Sequence, residues 1–147
     1  TVWHNTGGFA FEPIWTTSIP RVTPFTVKAA DFNHDGRVDV VVTQINGPTR
    51  LFANRRGAPG LRVILEGVAA NPDGVGAQVR LRFADGHSSP ARAVQAGSGF
   101  GSQDAAAMVL GLPAPAQSVW VRWPGGREQV APVAVGQREI RIRQAAP

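Results

Sequence analysis

Cysteine is missing from all 147 positions, which excludes disulfides and thiolate metal sites and leaves the redox compartment open. Long apolar runs are missing too. None approaches the roughly 20 residues a helix needs to cross a bilayer, so no transmembrane segment is expected in this chain. No basic-then-apolar leader opens it, position 1 is Thr, and the only methionine is Met108. The chain therefore reads as a processed product or a piece of something larger, whose targeting signal could lie in the absent part. Blocks of like charge are also lacking. The formal net charge of +5 is spread over both halves without a run of five or six basic residues, so no nucleic-acid partner is expected.

What is present points to short strands. Hydrophobic residues make up 43%, enough for a packed core, and 17 Gly and 12 Pro punctuate the chain too often for long helices. A weak repeat links Thr1–Gly8 with Thr49–Gly57: each is a short apolar strand ending in Asn and then Gly. Asn5 and Asn54 stand about one propeller blade apart, roughly 40–50 residues. One blade cannot bury its own faces, so residues 1–60 look like the tail of a longer array or lean on the C-terminal half. Thr26–Ala30, Val38–Gln44 and Thr49–Ala53 read as strands, with a turn at Asn46-Gly47-Pro48.

The pattern changes after Gly57-Ala58-Pro59-Gly60, a linker-like sequence. Leu61, Val63 and Leu65 alternate with polar neighbours or Ile64; so do Val79, Leu81 and Phe83, then Val119, Val121 and Trp123, then Ile140 and Ile142. Period two marks half-buried strands. Asn71-Pro72-Asp73-Gly74 and Asp85-Gly86 supply turns, and Arg92–Ala96 is the expected partner after the second. Five such strands read as a small antiparallel sandwich. Gln103–Leu110 could form a short helical turn.

The segment with the most chemistry is Asp31-Phe32-Asn33-His34-Asp35-Gly36-Arg37-Val38-Asp39. Hard cations take oxygen ligands, and here Asp31, Asn33 and Asp35 stand at positions 1, 3 and 5. Gly36 permits a sharp turn at position 6, Arg37 can offer its carbonyl at position 7, and Asp39 closes the shell at position 9. An EF-hand needs Glu at position 12 and flanking helices, whereas position 12 is Val42 inside a strand. The loop is thus of a strand-flanked kind, and Ca²⁺ is the expected ion. A plain solvated turn rich in Asp and Asn is the bland alternative.

No catalytic set is legible. His34 sits at a non-ligand position of the acidic loop, read as a solvent-facing filler, and His87 follows a turn. Ser98 and Ser102 lack the strand–turn–helix setting of a hydrolase elbow. Gly97–Gly101 could cradle an anion, or simply make a tight turn. Arg80, Arg82, Arg92, Arg122, Arg141 and Arg143 are expected on outward sides of their strands, where they either serve an acidic partner or keep a solvated face. Trp120 alternates onto the Arg122 side. An aromatic beside arginines has the composition of an interface anchor, so Trp120, Arg122, Arg80 and Arg82 are the candidate partner-binding residues.

These residues carry two resemblances. Residues 26–57, through Ala30–Val40, resemble an FG-GAP/VCBS repeat, the calcium-loop blade of integrin-type propellers, which implies ligand roles for Asp31, Asn33, Asp35, Arg37 (carbonyl) and Asp39. Residues 61–143 resemble an ASPIC/UnbV domain, as at the C-terminus of cartilage acidic protein and bacterial relatives. The matching pieces are Gly74–Val79, Gly97–Gln103, Leu110-Gly111-Leu112 and Val119–Gly126. The resemblance implies an extracellular or periplasmic location and a role in binding, with no established chemistry.

The expectations are therefore an all-β fold, with a calcium-loop β-hairpin (a partial propeller blade, residues 1–58) packed on a small antiparallel β-sandwich (residues 59–147). The expected function is non-enzymatic binding of a protein or glycan partner. The alternatives are a structural accessory subunit of a larger periplasmic or membrane-associated complex, and the non-catalytic end of a larger enzyme.

Overall fold

The computed structural model describes residues 1–18, 23–98 and 105–145. Among these the chain is all-β and contains no helix. The period-two segments of the second half do form a two-layer sandwich. One sheet runs β11 (Glu128–Pro132), β10 (Ala116–Arg122), β7 (Gln78–Phe83), β8 (Arg92–Ala93); the other runs β12 (Glu139–Arg143), β6 (Leu61–Glu66), β9 (Met108–Leu110). Leu61, Val63 and Leu65 of β6 and Ile140 and Ile142 of β12 face Val79, Leu81 and Phe83 of β7 and Val119 and Val121 of β10 in one core cluster. Trp123, just past β10, closes it with its indole N–H on Gln129 Oε1 at 3.0 Å. The physical reason is alternation: successive side chains leave a strand on opposite sides, so every second apolar residue reaches the same core.

The turns fall where Gly can take positive φ. Gly74 (φ 64°) donates its N–H to Asn71 O at 3.1 Å, and Gly86 (φ 85°) donates to Phe83 O at 3.1 Å. A side chain at Gly74 would also press on Trp123, since a Cβ there would lie 3.0 Å from the indole ring.

Three expectations for this half need correction. The sandwich is not purely antiparallel, because β12 runs parallel to β6 (Ile140 opposite Val63, Ile142 opposite Leu65). A parallel neighbour needs a long crossover, and here the chain between them supplies it with the four strands of the other sheet and β9. Arg92 does not share the outward side of Arg80: it lies opposite Val79, on the same side as buried Val94. Within the region read as a helical turn, Met108–Leu110 is a strand on β6. Gln103, together with Gly99, Phe100, Gly101 and Ser102 of the glycine-rich stretch, lies outside the described residues.

The first half forms two small sheets. β1 (Val2–Gly7) and β2 (Ala10–Trp15) make a hairpin, and β3 (Thr23–Ala30), β4 (Asp39–Ile45) and β5 (Gly47–Phe52) make an antiparallel meander. The hairpin turn uses Gly7, Gly8 and Phe9, all at positive φ. Trp15 of β2 meets Phe52 of β5 edge to face at 5.1 Å between ring centroids. The two asparagines of the sequence repeat do the same local job. Asn5 Oδ1 accepts the Gly7 N–H at 2.9 Å, and Asn54 Oδ1 accepts those of Arg56 at 3.2 Å and Gly57 at 2.9 Å.

Candidate metal centre and interaction face

The acidic loop joins β3 to β4, so its two ends are pinned by adjacent paired strands, Ala30 opposite Asp39. Its carboxylates fold inward onto loop amides. Asp31 accepts the N–H groups of Asp35 and Gly36, each at 3.0 Å. Asn33 Oδ1 accepts the same Asp35 N–H at 3.1 Å, and Asp35 Oδ1 accepts the Arg37 N–H at 2.9 Å. Asp39 is the deepest member, 1% exposed. It accepts the Phe32 N–H at 3.2 Å and the Asn54 N–H at 2.7 Å, and a buried polar group is costly without such partners. His34 and Gly36 both stand at positive φ, which wraps the loop tightly. The Asp35 carboxyl is held below its ordinary range, chiefly by the Arg37 backbone N–H and further by the Asn33 amide and the Arg37 guanidinium, which lies 3.3 Å away.

This donor set suits calcium in kind. All five groups present hard oxygen, and an oxygen that accepts one N–H keeps a second lone pair. Asp31 Oδ1 and Asn33 Oδ1 already turn toward one shared point, the Asp35 N–H. Among the described residues, however, no three acidic or histidine side chains are gathered closely enough to hold a metal ion. The carboxylates are turned onto the loop's own amides instead.

The same loop clasps the sandwich. Gly36 O accepts the Gly60 N–H at 2.8 Å, and Arg37 Nε donates to Gly57 O at 2.6 Å. His34 Nδ1 lies 2.8 Å from Arg62 Nη1 on β6, so this histidine is tied across the joint, although its position is exposed as expected. A Cβ at Gly36 would lie 3.1 Å from Pro59 Cβ. Further along β3, Lys28 Nζ donates to Ser98 O at 2.9 Å. Asn54, Gly60 and Arg62 were missed as members of this region by reasoning from sequence. For Asn54 the repeat with Asn5 was a usable signal; nothing local marks Arg62.

The two outer faces of the sandwich differ. On the β12–β6 side the arginines are matched: Arg143 meets Glu66 at 3.0 Å, Arg141 meets Glu139 at 3.3 Å, and Arg62 meets Glu139 at 3.4 Å. On the β7–β10 side Arg80, Arg82 and Arg122 are exposed and make no ion pair among the described residues. Register places Arg80 opposite Trp120 and Gln78 opposite Arg122. Trp120 does lie on this side, but it is not an open anchor, and that expectation is corrected. It is 9% exposed, the Arg80 guanidinium sits over its ring at 5.4 Å, and its indole N–H reaches Glu128 Oε2 at 2.9 Å. A cation over an indole face shields the ring and is weakly held by it, while its charge stays open to a partner.

A family model described as ASPIC and UnbV matches residues 67–147, more than half of the chain. The chain belongs to the ASPIC and UnbV family. The matched segment begins just after β6, yet β6 is the middle strand of its sheet, so the ASPIC and UnbV fold here includes residues ahead of the match. An FG-GAP-like repeat matches residues 1–42, which takes in the β1–β2 hairpin and the whole acidic loop. That match starts earlier and stops sooner than the resemblance over residues 26–57. No curated protein matches the chain. The two matches in this order are consistent with an extracellular or envelope β-rich module.

Proposed function

We propose that this ASPIC and UnbV protein is a non-enzymatic, calcium-binding interaction module of the periplasm or extracellular space, with a protein or glycan partner. The observation that carries the calcium reading is the double role of the Asp31–Asp39 loop. Its side chains are oxygen donors folded around their own backbone, and its Gly36 carbonyl and Arg37 side chain hold the Gly57–Gly60 linker. Asp31, Asn33, Asp35, the Arg37 carbonyl and Asp39 would hold the ion. Calcium there supplies charge neutralisation for three carboxylates faced by one guanidinium, and it stiffens the joint between blade segment and sandwich. An ion that binds only the folded form raises stability by RT ln(1 + [L]/Kd). Thermal unfolding and calorimetry in calcium and in excess chelator test this: a higher Tm with heat of binding is expected, and an unchanged Tm with no uptake refutes it.

The partner reading rests on the β7–β10 face. Arg80, Arg82 and Arg122 make no ion pair among the described residues while the arginines of the opposite face are paired with Glu66 and Glu139, which suits an acidic partner. With Trp120 covered, the arginines carry the attraction and Trp120 holds Arg80 in place.

A further inference from the structure

At one end of the arginine-bearing face an open cavity of about 280 Å³ is lined by Gln78, Arg122, Trp123 and the Pro124–Gly126 turn, with Gly76 beside them. Its construction comes from the sequence Trp123-Pro124-Gly125-Gly126. Gly126 donates its N–H to Trp123 O at 3.0 Å, closing a turn with Pro at its second position and Gly125 at φ 89° in its third. That is the residue pattern of a type II turn. Glycine at 125 and 126 leaves the rim bare, since a Cβ at either would meet nothing within 4 Å. Gly76 stands at φ 89°, a backbone conformation that favours glycine, and a Cβ there would make only ordinary contact with Pro124 Cγ at 3.5 Å.

Three groups lining this cavity have no hydrogen-bond partner among the described residues: the Arg122 guanidinium, the Gln78 amide and the Gly125 N–H. Gln78 and Arg122 are direct cross-strand neighbours, so both reach the same side of the sheet. The nearest cross-strand acid to Arg122 is Glu128; its Oε2 accepts the Trp120 indole N–H, and it makes no ion pair with Arg122 among the described residues. A guanidinium offers a fork of donors that matches a carboxylate. A primary amide both donates and accepts, which suits a hydroxyl beside that carboxylate. The volume sits at the small end of ligand cavities, enough for one compact group.

We propose that this cavity is a binding site for a hydroxylated carboxylate of the size of one sugar ring, a uronic-acid unit, with Arg122 on the carboxylate and Gln78 on an adjacent hydroxyl. This deepens the partner-face reading and rests on it through Arg122. It identifies the glycan class as acidic and locates its end group.

The test is an amide and guanidinium NMR titration of the full chain with glucuronate, glucose and sodium sulfate. Glucuronate is expected to shift the Gly125, Gly126 and Arg122 Nε signals saturably, glucose to leave them unmoved, and sulfate to compete weakly. Arg122→Gln is expected to weaken glucuronate binding about tenfold or more, in line with loss of a charged hydrogen bond, and Gln78→Ala to weaken it less. The doubly substituted Arg80→Gln, Arg82→Gln protein loses two arginines of the same face but none that lines the cavity, and is expected to weaken glucuronate binding far less than Arg122→Gln. If that double variant loses binding as fully as Arg122→Gln, the site is a diffuse basic face and the cavity proposal falls while the face reading stands. If glucose and glucuronate shift the same signals equally, the carboxylate assignment falls. If an immobilised acidic polysaccharide binds the unaltered protein and glucuronate does not, the cavity proposal falls and the face reading stands; if neither binds, the glycan reading of the face falls with the cavity.

Discussion

The blade segment and the sandwich use apolar residues of the same kind to opposite ends. In the sandwich the alternating Val, Leu, Ile and Phe positions are closed between two sheets, and Leu61, Val63, Val79, Leu81, Val119 and Val121 are fully buried. In the blade segment Trp3, Phe11, Ile14, Phe25 and Val27 are all more than half exposed, and Val42 is the buried apolar residue among those described. Alternation alone does not make a core; a second layer must lie across it. Where the layer is thin, the blade segment is held by polar devices instead: the Asp39 carboxylate between β3 and β5, the Asn54 turn, and the clasp on Gly57 and Gly60.

Substitutions in either region probe that contrast. The largest effect is expected for Trp123→Ala, which removes the largest fully buried side chain and should cost about 3–5 kcal/mol, read from urea midpoints. The blade-segment amides of β3–β5 should keep much of their hydrogen-exchange protection if the two regions are separately stabilised; equal loss in both would show one cooperative unit.

Asp39→Ala acts on the other region. It strands the Phe32 and Asn54 N–H groups, at about 1–3 kcal/mol for a buried donor left without a partner. Measured in chelator, so that any metal effect is absent, the loss of protection should be confined to β3–β5. Spread into β6 and β7 would mean that the clasp transmits it.

A smaller effect, about 0.5–1.5 kcal/mol, is expected for Trp120→Phe, which removes the indole bond to Glu128 while keeping a ring beneath Arg80. Its midpoint shift should be well below that of Trp123→Ala, since the two tryptophans differ in what they touch.

The smallest effect is the acid limb. The folded-state pKa of Asp35 lies below its ordinary value, so its contribution is complete above the ordinary carboxylate range and is lost as pH falls through the lowered folded value. Asp35→Asn should flatten that part of the stability–pH curve. An unchanged curve would mean that Asp35 has no energetic role in the loop.

Much of this was legible in the residues. The inward sets of β6, β7, β10 and β12 could be read from period two, and Asn71–Gly74 and Asp85-Gly86 from turn chemistry. The acidic loop could be read from the ligand spacing of its donors. Strand β9 was hidden because Met108–Leu110 is too short for a period to show. The parallel pairing of β12 was hidden because alternation says which side a residue faces, not which strand lies next to it or in which direction. Strand β11 was passed over for a related reason: Val130 lies opposite Trp120 on the outer side, so its apolar residues do not announce a buried face.

Residue order settled which side chains share a face, where the chain must turn, and which loop carries oxygen donors at ligand spacing, because backbone geometry fixes these within a few residues. It left open that the acidic loop is the clasp on the sandwich, that the arginines of one face are paired with Glu66 and Glu139 while those of the other are not, and that Trp120 is shielded by Arg80. Those were decided only when the chain folded. Each depends on groups brought together across strands and across the linker, and the energy of a charge or a ring is set by the neighbours it meets in space.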